Sequence, residues 1–340
     1  MKRRAVIFGC AGTELGDEER RFFAETEPAG FILFARNCQA PDQVRALTAA
    51  LRDSIGWDDA PVLIDQEGGR VARLGPPHWP KRPPARVFAD LARTRGLDDA
   101  REAARLNARL MAADLHVLGI TVDCAPVIDV PVPGAHDVIG DRAHGDDPET
   151  ITALGRAVCD GLLAGGVLPV VKHIPGHGRA AADSHLELPA VGTTRDEMRL
   201  TDFAPFAALN DMACAMAAHV LYTDIDSTAP ATASPKVIED VIRGDIGFDG
   251  LLLSDDIGME ALTGTPGERC AAMLAAGCDI ALECSGDIDV MRVTAEGAAM
   301  LTAAASARLE RALGDIRAPE ALDAAAATAR LAELTAGTPA

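Results

Sequence analysis

Aromatic side chains are scarce, with one Tyr and two Trp in 340 residues, and this excludes a broad aromatic stacking surface. Basic residues are also short: 32 Lys and Arg face 51 Asp and Glu, for a formal charge of -19. A surface of that sign repels nucleic-acid phosphates and anionic lipid headgroups, so the expected partner is a small molecule, with no nucleic acid and no membrane. No apolar run is long enough to span a bilayer. The start, Met1-Lys2-Arg3-Arg4, carries the charge of an export signal, but the run after it is broken by Gly9, Gly12 and Asp17-Glu18-Glu19. The eight cysteines form no Cys-x-x-Cys pair and sit mostly in or beside apolar runs, which reads as reduced, buried thiols of a cytoplasmic protein. No linker rich in Pro, Gly or Ser divides the chain. The expectation is one unit over 1–340, with 316–340 as a helical extension packed on the outside.

What the sequence does have is repetition. Short apolar or β-branched runs recur at 5–10, 30–35, 61–66, 120–125, 168–173, 213–221, 251–255 and 279–284, most of them followed by an Ala, Leu and Arg-rich segment with helical spacing. Strand then helix, eight times over, predicts an α/β fold of the (β/α)8 TIM-barrel type. A doubly wound open sheet would call for a dinucleotide turn after the first strand, and Gly9-Cys10-Ala11-Gly12 lacks G-x-G-x-x-G. The prolines at 76, 77, 80, 83 and 84 predict a stiff loop after the third strand, placed over the barrel mouth.

In such a barrel the ligand site lies at the C-terminal ends of the strands, and charged residues converge there. The third strand ends in Asp65-Gln66-Glu67, with Arg73 beyond; the fourth leads through Asp123 and Asp129 to Arg142. The fifth delivers Lys172 and His173, the sixth His219 and the seventh Asp255-Asp256. Asp255 follows Leu251-Leu252-Leu253, and a carboxylate at the end of a buried strand is costly unless it serves a ligand. His219 reads more readily as a satisfied core histidine. The stretch Lys172-His173-Ile174-Pro175-Gly176-His177-Gly178 runs on to Asp183-Ser184-His185. An Asp two residues from a His can fix the imidazole's tautomer and stabilise its charged form, as a general acid and base requires. The same groups admit a metal site built from His173, His177, His185 and Asp183, but Pro175, Gly176 and Gly178 deny it the helix that makes a zinc motif rigid.

In order and on the predicted strand ends, the segments 30–37, 64–71, 140–142, 172–189 and 253–256 together resemble family 3 of the glycoside hydrolases, and within it the single-domain bacterial β-N-acetylhexosaminidases. The resemblance implies a retaining glycosidase with no cofactor and no metal. Asp255 matches the nucleophile, His185 the acid/base and Asp183 its partner; Asp65, Arg73, Arg142, Lys172 and His173 match residues that bind N-acetylglucosamine. It also implies a substrate, GlcNAc linked β-1,4 to 1,6-anhydro-N-acetylmuramic acid with or without peptide, in peptidoglycan recycling. Many larger relatives take the acid/base from a second α/β domain; here the loop after the fifth strand is expected to supply it. The pattern departs from the family at Arg179-Ala180, at Arg142-Ala143-His144 and at Ile257-Gly258-Met259. A phosphorylase, a metal-dependent hydrolase and a non-catalytic sugar-binding barrel are the rival readings.

Overall fold

The computed structural model describes residues 3–180, 182, 187–260 and 262–338. Among the described residues nine short strands form one parallel sheet: β1 (Arg4–Phe8), β2 (Pro28–Leu33), β3 (Val62–Ile64), β4 (Val122–Asp123), β5 (Leu168–Pro169), β6 (Val171–Ile174), β7 (Cys214–Ala217), β8 (Leu251–Asp256) and β9 (Ile280–Glu283). Their order is β5-β4-β3-β2-β1-β9-β8-β7-β6. Because β5 runs into β6 through Val170, the two ends of the sheet belong to one strand and the barrel closes. Val170 donates to the carbonyls of Asp123 and Ala125, and Ile128 donates to that of Lys172, so the join is hydrogen-bonded. The eight apolar runs thus become eight barrel staves, buried on both faces as parallel strands require. The run at 213–221 spans more than its stave: Leu221–Tyr222 leaves the barrel and pairs with Ala190–Val191.

The helical layer comprises α1 (Asp17–Thr26), α2 (Pro41–Ile55), α3 (Ala85–Arg95), α4 (Leu97–His116), α5 (Pro148–Ala164), α6 (Arg195–Leu200), α7 (Ala204–Ala208), a π-helical stretch Val237–Asp245, α8 (Pro266–Ala276), α9 (Ile288–Gly297), α10 (Ala303–Gly314) and α11 (Ala324–Thr335). Local chemistry sets several of their starts: Pro41, Pro148 and Pro266 occupy first turns, and Thr265 with Glu268 closes a capping box on α8. The two ends of the barrel differ in kind. Leu309, Ala312 and Leu313 of α10 close the N-terminal end against Ile7, Leu63 and Leu251. Arg308 pins that plug by ion pairs to Asp249 and Asp279. Inside the barrel this end is lined by apolar side chains, and the polar cavity lies at the opposite end. At the C-terminus α11 lies on α3 and α4, where Leu334 is buried and Arg330 pairs with Glu102. All eight cysteines are free thiols, seven of them buried.

Candidate active site

The loop after β3 begins with a two-stranded hairpin, Gln66–Gly68 against Val71–Ala72. Gly68 and Gly69 form its turn with φ of 93° and 57°. A Cβ on Gly68 would meet the Pro83 carbonyl oxygen at 2.3 Å, so the turn has no room for a side chain. The hairpin aims Asp65, Glu67, Val71 and Arg73 into a cavity of about 260 Å³ at the C-terminal end of the barrel. That volume equals roughly nine waters at about 30 Å³ each, the scale of one sugar ring. From this loop Glu67, Val71 and Arg73 line the cavity and none of the prolines does. The expected proline cover instead runs outward, where Arg82 pairs with Asp114 of α4.

Lys172, inside β6 and 2% exposed, is the centre of the charge pattern. Its Nζ lies 2.7 Å from Asp65 Oδ1 and 2.7 Å from Glu67 Oε1. Arg73 donates to the other oxygen of Asp65 at 3.0 Å, and Arg142 grips Glu67 with two bonds of 2.8 Å. The result is an alternating row, Arg73, Asp65, Lys172, Glu67, Arg142, in which every charge has an opposite neighbour. Burial alone would raise both carboxyls; Lys172, with Arg73 for Asp65 and Arg142 for Glu67, outweighs it and holds both below the ordinary range. All five side chains line the cavity, where donors and acceptors of this kind can meet hydroxyl and amide groups.

His173 donates from Nδ1 to the buried carboxylate of Asp129 at 2.7 Å, while the backbone N–H groups of His173 and His177 converge on the same carboxylate. The other side of the His173 ring is thereby presented to the cavity in one orientation. His177 also lines the cavity, its ring 5.7 Å from that of His173, and burial, then His173, push it down to about 4, so it is neutral near pH 7.

Asp255 sits at the end of β8 and faces the same space. Burial alone would raise its carboxyl. The neighbouring His219 and His173, the Asp256 backbone N–H at 2.8 Å and Lys172 outweigh burial and hold it at about 2. His219 is fully buried and satisfied on both nitrogens, by Thr232 Oγ1 at 2.8 Å and the Asp256 carbonyl at 2.9 Å. Burial pushes it down, against the opposite pull of Asp255 and of the Asp256 carbonyl. An ionised carboxylate held at a cavity floor is the state a nucleophile needs.

The structure therefore brings together Asp65, Arg73, Arg142, Lys172, His173 and Asp255, from four separate loops and strand ends. Asp183 and His185 lie outside the described residues. Among the described residues no group of three or more His, Cys, Asp or Glu is arranged to hold a metal ion. Sequence reasoning assigned no role to Glu67, weighed His177 only as a ligand in the metal reading, and left Asp129 between orienting a neighbour and touching a ligand; the structure has it orient His173. The departures from the family pattern have structural partners here. Arg179 binds Asp202 at 2.7 Å and Thr201 at 3.0 Å, Ala143 is wholly buried, and His144 contacts the Val127 carbonyl at 3.0 Å.

Residues 8–314 match the N-terminal domain of glycosyl hydrolase family 3. The chain belongs to family 3 of the glycoside hydrolases. A curated β-hexosaminidase of Methylococcus capsulatus is 38% identical over 283 residues, 82% of each chain, and one of Pseudomonas aeruginosa is 37% identical over 284 residues, 83% of this chain and 82% of that one. Among solved structures, NagZ from Neisseria gonorrhoeae in complex with N-trifluoroacetyl-D-glucosamine superposes with a TM-score of 0.87 at 32% identity, covering 99% of both chains. The family 3 assignment makes the chain an enzyme, a glycoside hydrolase similar throughout to β-hexosaminidases, and the barrel mouth is its candidate active site. No helix among the described residues is long and apolar enough to cross a membrane.

Proposed function

We propose that the protein is a retaining β-N-acetylhexosaminidase of peptidoglycan recycling, removing terminal β-linked GlcNAc from 1,6-anhydro-N-acetylmuramic acid and its peptides in the cytoplasm. The observation that carries this reading is Asp255, ionised at about 2 and facing a cavity of one-sugar size that is rimmed by the row from Arg73 to Arg142. A neighbour of the same fold that binds an N-acylglucosamine supports the choice of sugar. In the mechanism, the cations and His173 bind the hydroxyls and the acetamido group of the sugar. Asp255 attacks the anomeric carbon as His185, protonated and oriented by Asp183, gives its proton to the departing oxygen. His185 then takes a proton from water, which attacks the anomeric carbon and frees the sugar with its β configuration and Asp255 as carboxylate.

The test incubates the protein with aryl β-glycosides of GlcNAc and of glucose, with and without phosphate, and follows the first-formed sugar by NMR. Free β-GlcNAc, with the glucoside cleaved far more slowly, is the expected result. A sugar phosphate as product would make the enzyme a phosphorylase. Initial α anomer would remove Asp255 from the nucleophile's role.

A further inference from the structure

The hairpin after β3 does more than present Asp65, Glu67 and Arg73. At its tip Arg70 reaches away from the cavity toward the segment after β4. Its Nε donates to Asp141 Oδ1 at 2.7 Å, and its Nη2 lies 2.6, 3.0 and 3.3 Å from the carbonyl oxygens of Asp137, Val138 and Ile139. Three successive carbonyls thus converge on one guanidinium. The turn that allows this is Gly140, at φ 47°, where a Cβ would fall 2.4 Å from Asp137 Oδ1. From behind, backbone bonds tie the approach to the segment, the Val132 N–H to the Gly178 carbonyl and the His136 N–H to that of Ala180.

What Arg70 holds is one wall of the cavity. Val138 and Ile139 line it, packed with Val127 and Ala143 in an apolar cluster separate from the main core. Arg142 ends the segment, and besides gripping Glu67 it donates from Nη1 to the Val138 carbonyl at 3.1 Å. The two arginines therefore share one carbonyl. Such a small cluster, detached from the core, buries little area with which to fix the segment by itself.

We propose that Arg70 is a positioning residue: by clasping residues 137–141 it sets the Val138–Ile139 wall and the guanidinium of Arg142 at the distance a bound sugar needs. Arg70 is itself exposed and touches no substrate in this role. The inference rests on reading the cavity as the sugar site. An arginine suits the task because its planar fork reaches Asp141 and the carbonyls at once, which a single ammonium cannot.

The experiment uses Arg70→Ala, Arg70→Lys and, from the other side of the pair, Asp141→Asn. Amide hydrogen exchange of residues 137–141 in the free enzyme should speed up in all three. KM for an aryl β-GlcNAc glycoside, and Kd for GlcNAc, should rise between about tenfold and a hundredfold in Arg70→Ala, the scale of a misplacement acting from outside the reacting centre, with kcat far less changed. Lys should restore little. In an Arg142→Ala background the further loss from Arg70→Ala should largely vanish, since the two act through one element. Unchanged KM and Kd in a folded Arg70→Ala protein, or fully additive losses in the cycle, would overturn the inference. Wild-type protein without affinity for GlcNAc would instead sink the sugar reading, and exchange at 137–141 would still decide whether Arg70 holds the segment.

Discussion

Asp255 and Glu283 stand at the ends of neighbouring strands, β8 and β9, and their surroundings drive them in opposite directions. Asp255 has oriented donors and cations around it. Glu283 is fully buried; burial, reinforced by Asp256, outweighs the pull of Ser285, through its side chain and its backbone N–H 2.9 Å from Oε1, and of Arg36, and raises the carboxyl to about 7. Its proton is therefore kept in the folded state while the unfolded chain, near 4.5, has lost it. A raised carboxyl makes no difference below the unfolded value and costs stability progressively as pH rises from there to about 7, to a plateau of about 3 kcal/mol. Glu283→Gln removes the titration but keeps the shape. Denaturant unfolding should show the variant near wild type at pH 4.5 and more stable by up to that amount at pH 8. A difference that does not change with pH would mean that Glu283 is ionised at no such cost. A second expectation at this scale separates Asp255 from His185. Asp255→Ala should abolish cleavage of every β-GlcNAc substrate. His185→Ala should lose about 10²- to 10⁴-fold where the leaving group is a sugar that must be protonated, yet release a good phenol leaving group in a burst. Equal losses on both would show that the acid lies elsewhere on the rim. Single residues were legible where a charge followed an apolar run, as at Lys172, Asp65 and Asp255. Glu67 was not, because its partner Arg142 is 75 residues away, and Asp129 could be placed near the mouth but not joined to His173, 44 residues away, because no spacing rule links them.

At the level of elements, strands and their order could be read because parallel staves are buried on both faces and appear as plain apolar runs. The connections after them could not. The prolines at 76–84 suggested a stiff cover over the mouth, whereas the loop opens as a hairpin and Pro83 and Pro84 back that hairpin from outside. What decides this is the approach of Gly68 and Gly69 to Pro83 and Pro84, a contact between residues 15 apart that no local propensity records. Gly68→Ala tests it. At φ 93°, with the Pro83 oxygen 2.3 Å from the new Cβ, the hairpin or the proline segment must shift. The cost should be about 2 kcal/mol or more, since strain in that region and a hard overlap add. Because Asp65, Glu67 and Arg73 ride on the same hairpin, KM for GlcNAc substrates should rise together with the loss in thermal stability. Gly75→Ala, in the same loop but with nothing within 4 Å of its Cβ, serves as the control and should change neither. A stable, fully active Gly68→Ala enzyme would show that the hairpin is free to move without consequence for the site.

For the molecule as a whole, the barrel separates an apolar plug at one end from a polar mouth at the other, and the formal charge of -19 surrounds both. The mouth does not offset that charge: Arg73, Lys172 and Arg142 are each paired with Asp65 or Glu67, and Asp255 adds a further negative charge. A neutral glycoside should approach without regard to the field. A muropeptide whose aglycone carries carboxylates should be repelled at long range, and the repulsion should fade once the screening length drops to about 10 Å near 0.1 M salt. Raising monovalent salt from about 10 mM, where screening extends to about 30 Å, toward 0.2 M should therefore increase kcat/KM for an anionic GlcNAc-anhydromuramyl peptide. It should leave kcat/KM for a neutral aryl GlcNAc glycoside unchanged. The gain should lie in KM and vanish when the peptide is removed and the muramyl carboxylate is esterified, because only the charge of the aglycone is in question. A fall in kcat/KM with salt for the peptide substrate would mean the opposite: a local cluster of cations at the mouth draws the aglycone in, and the net charge of the chain is no guide to the field the substrate meets.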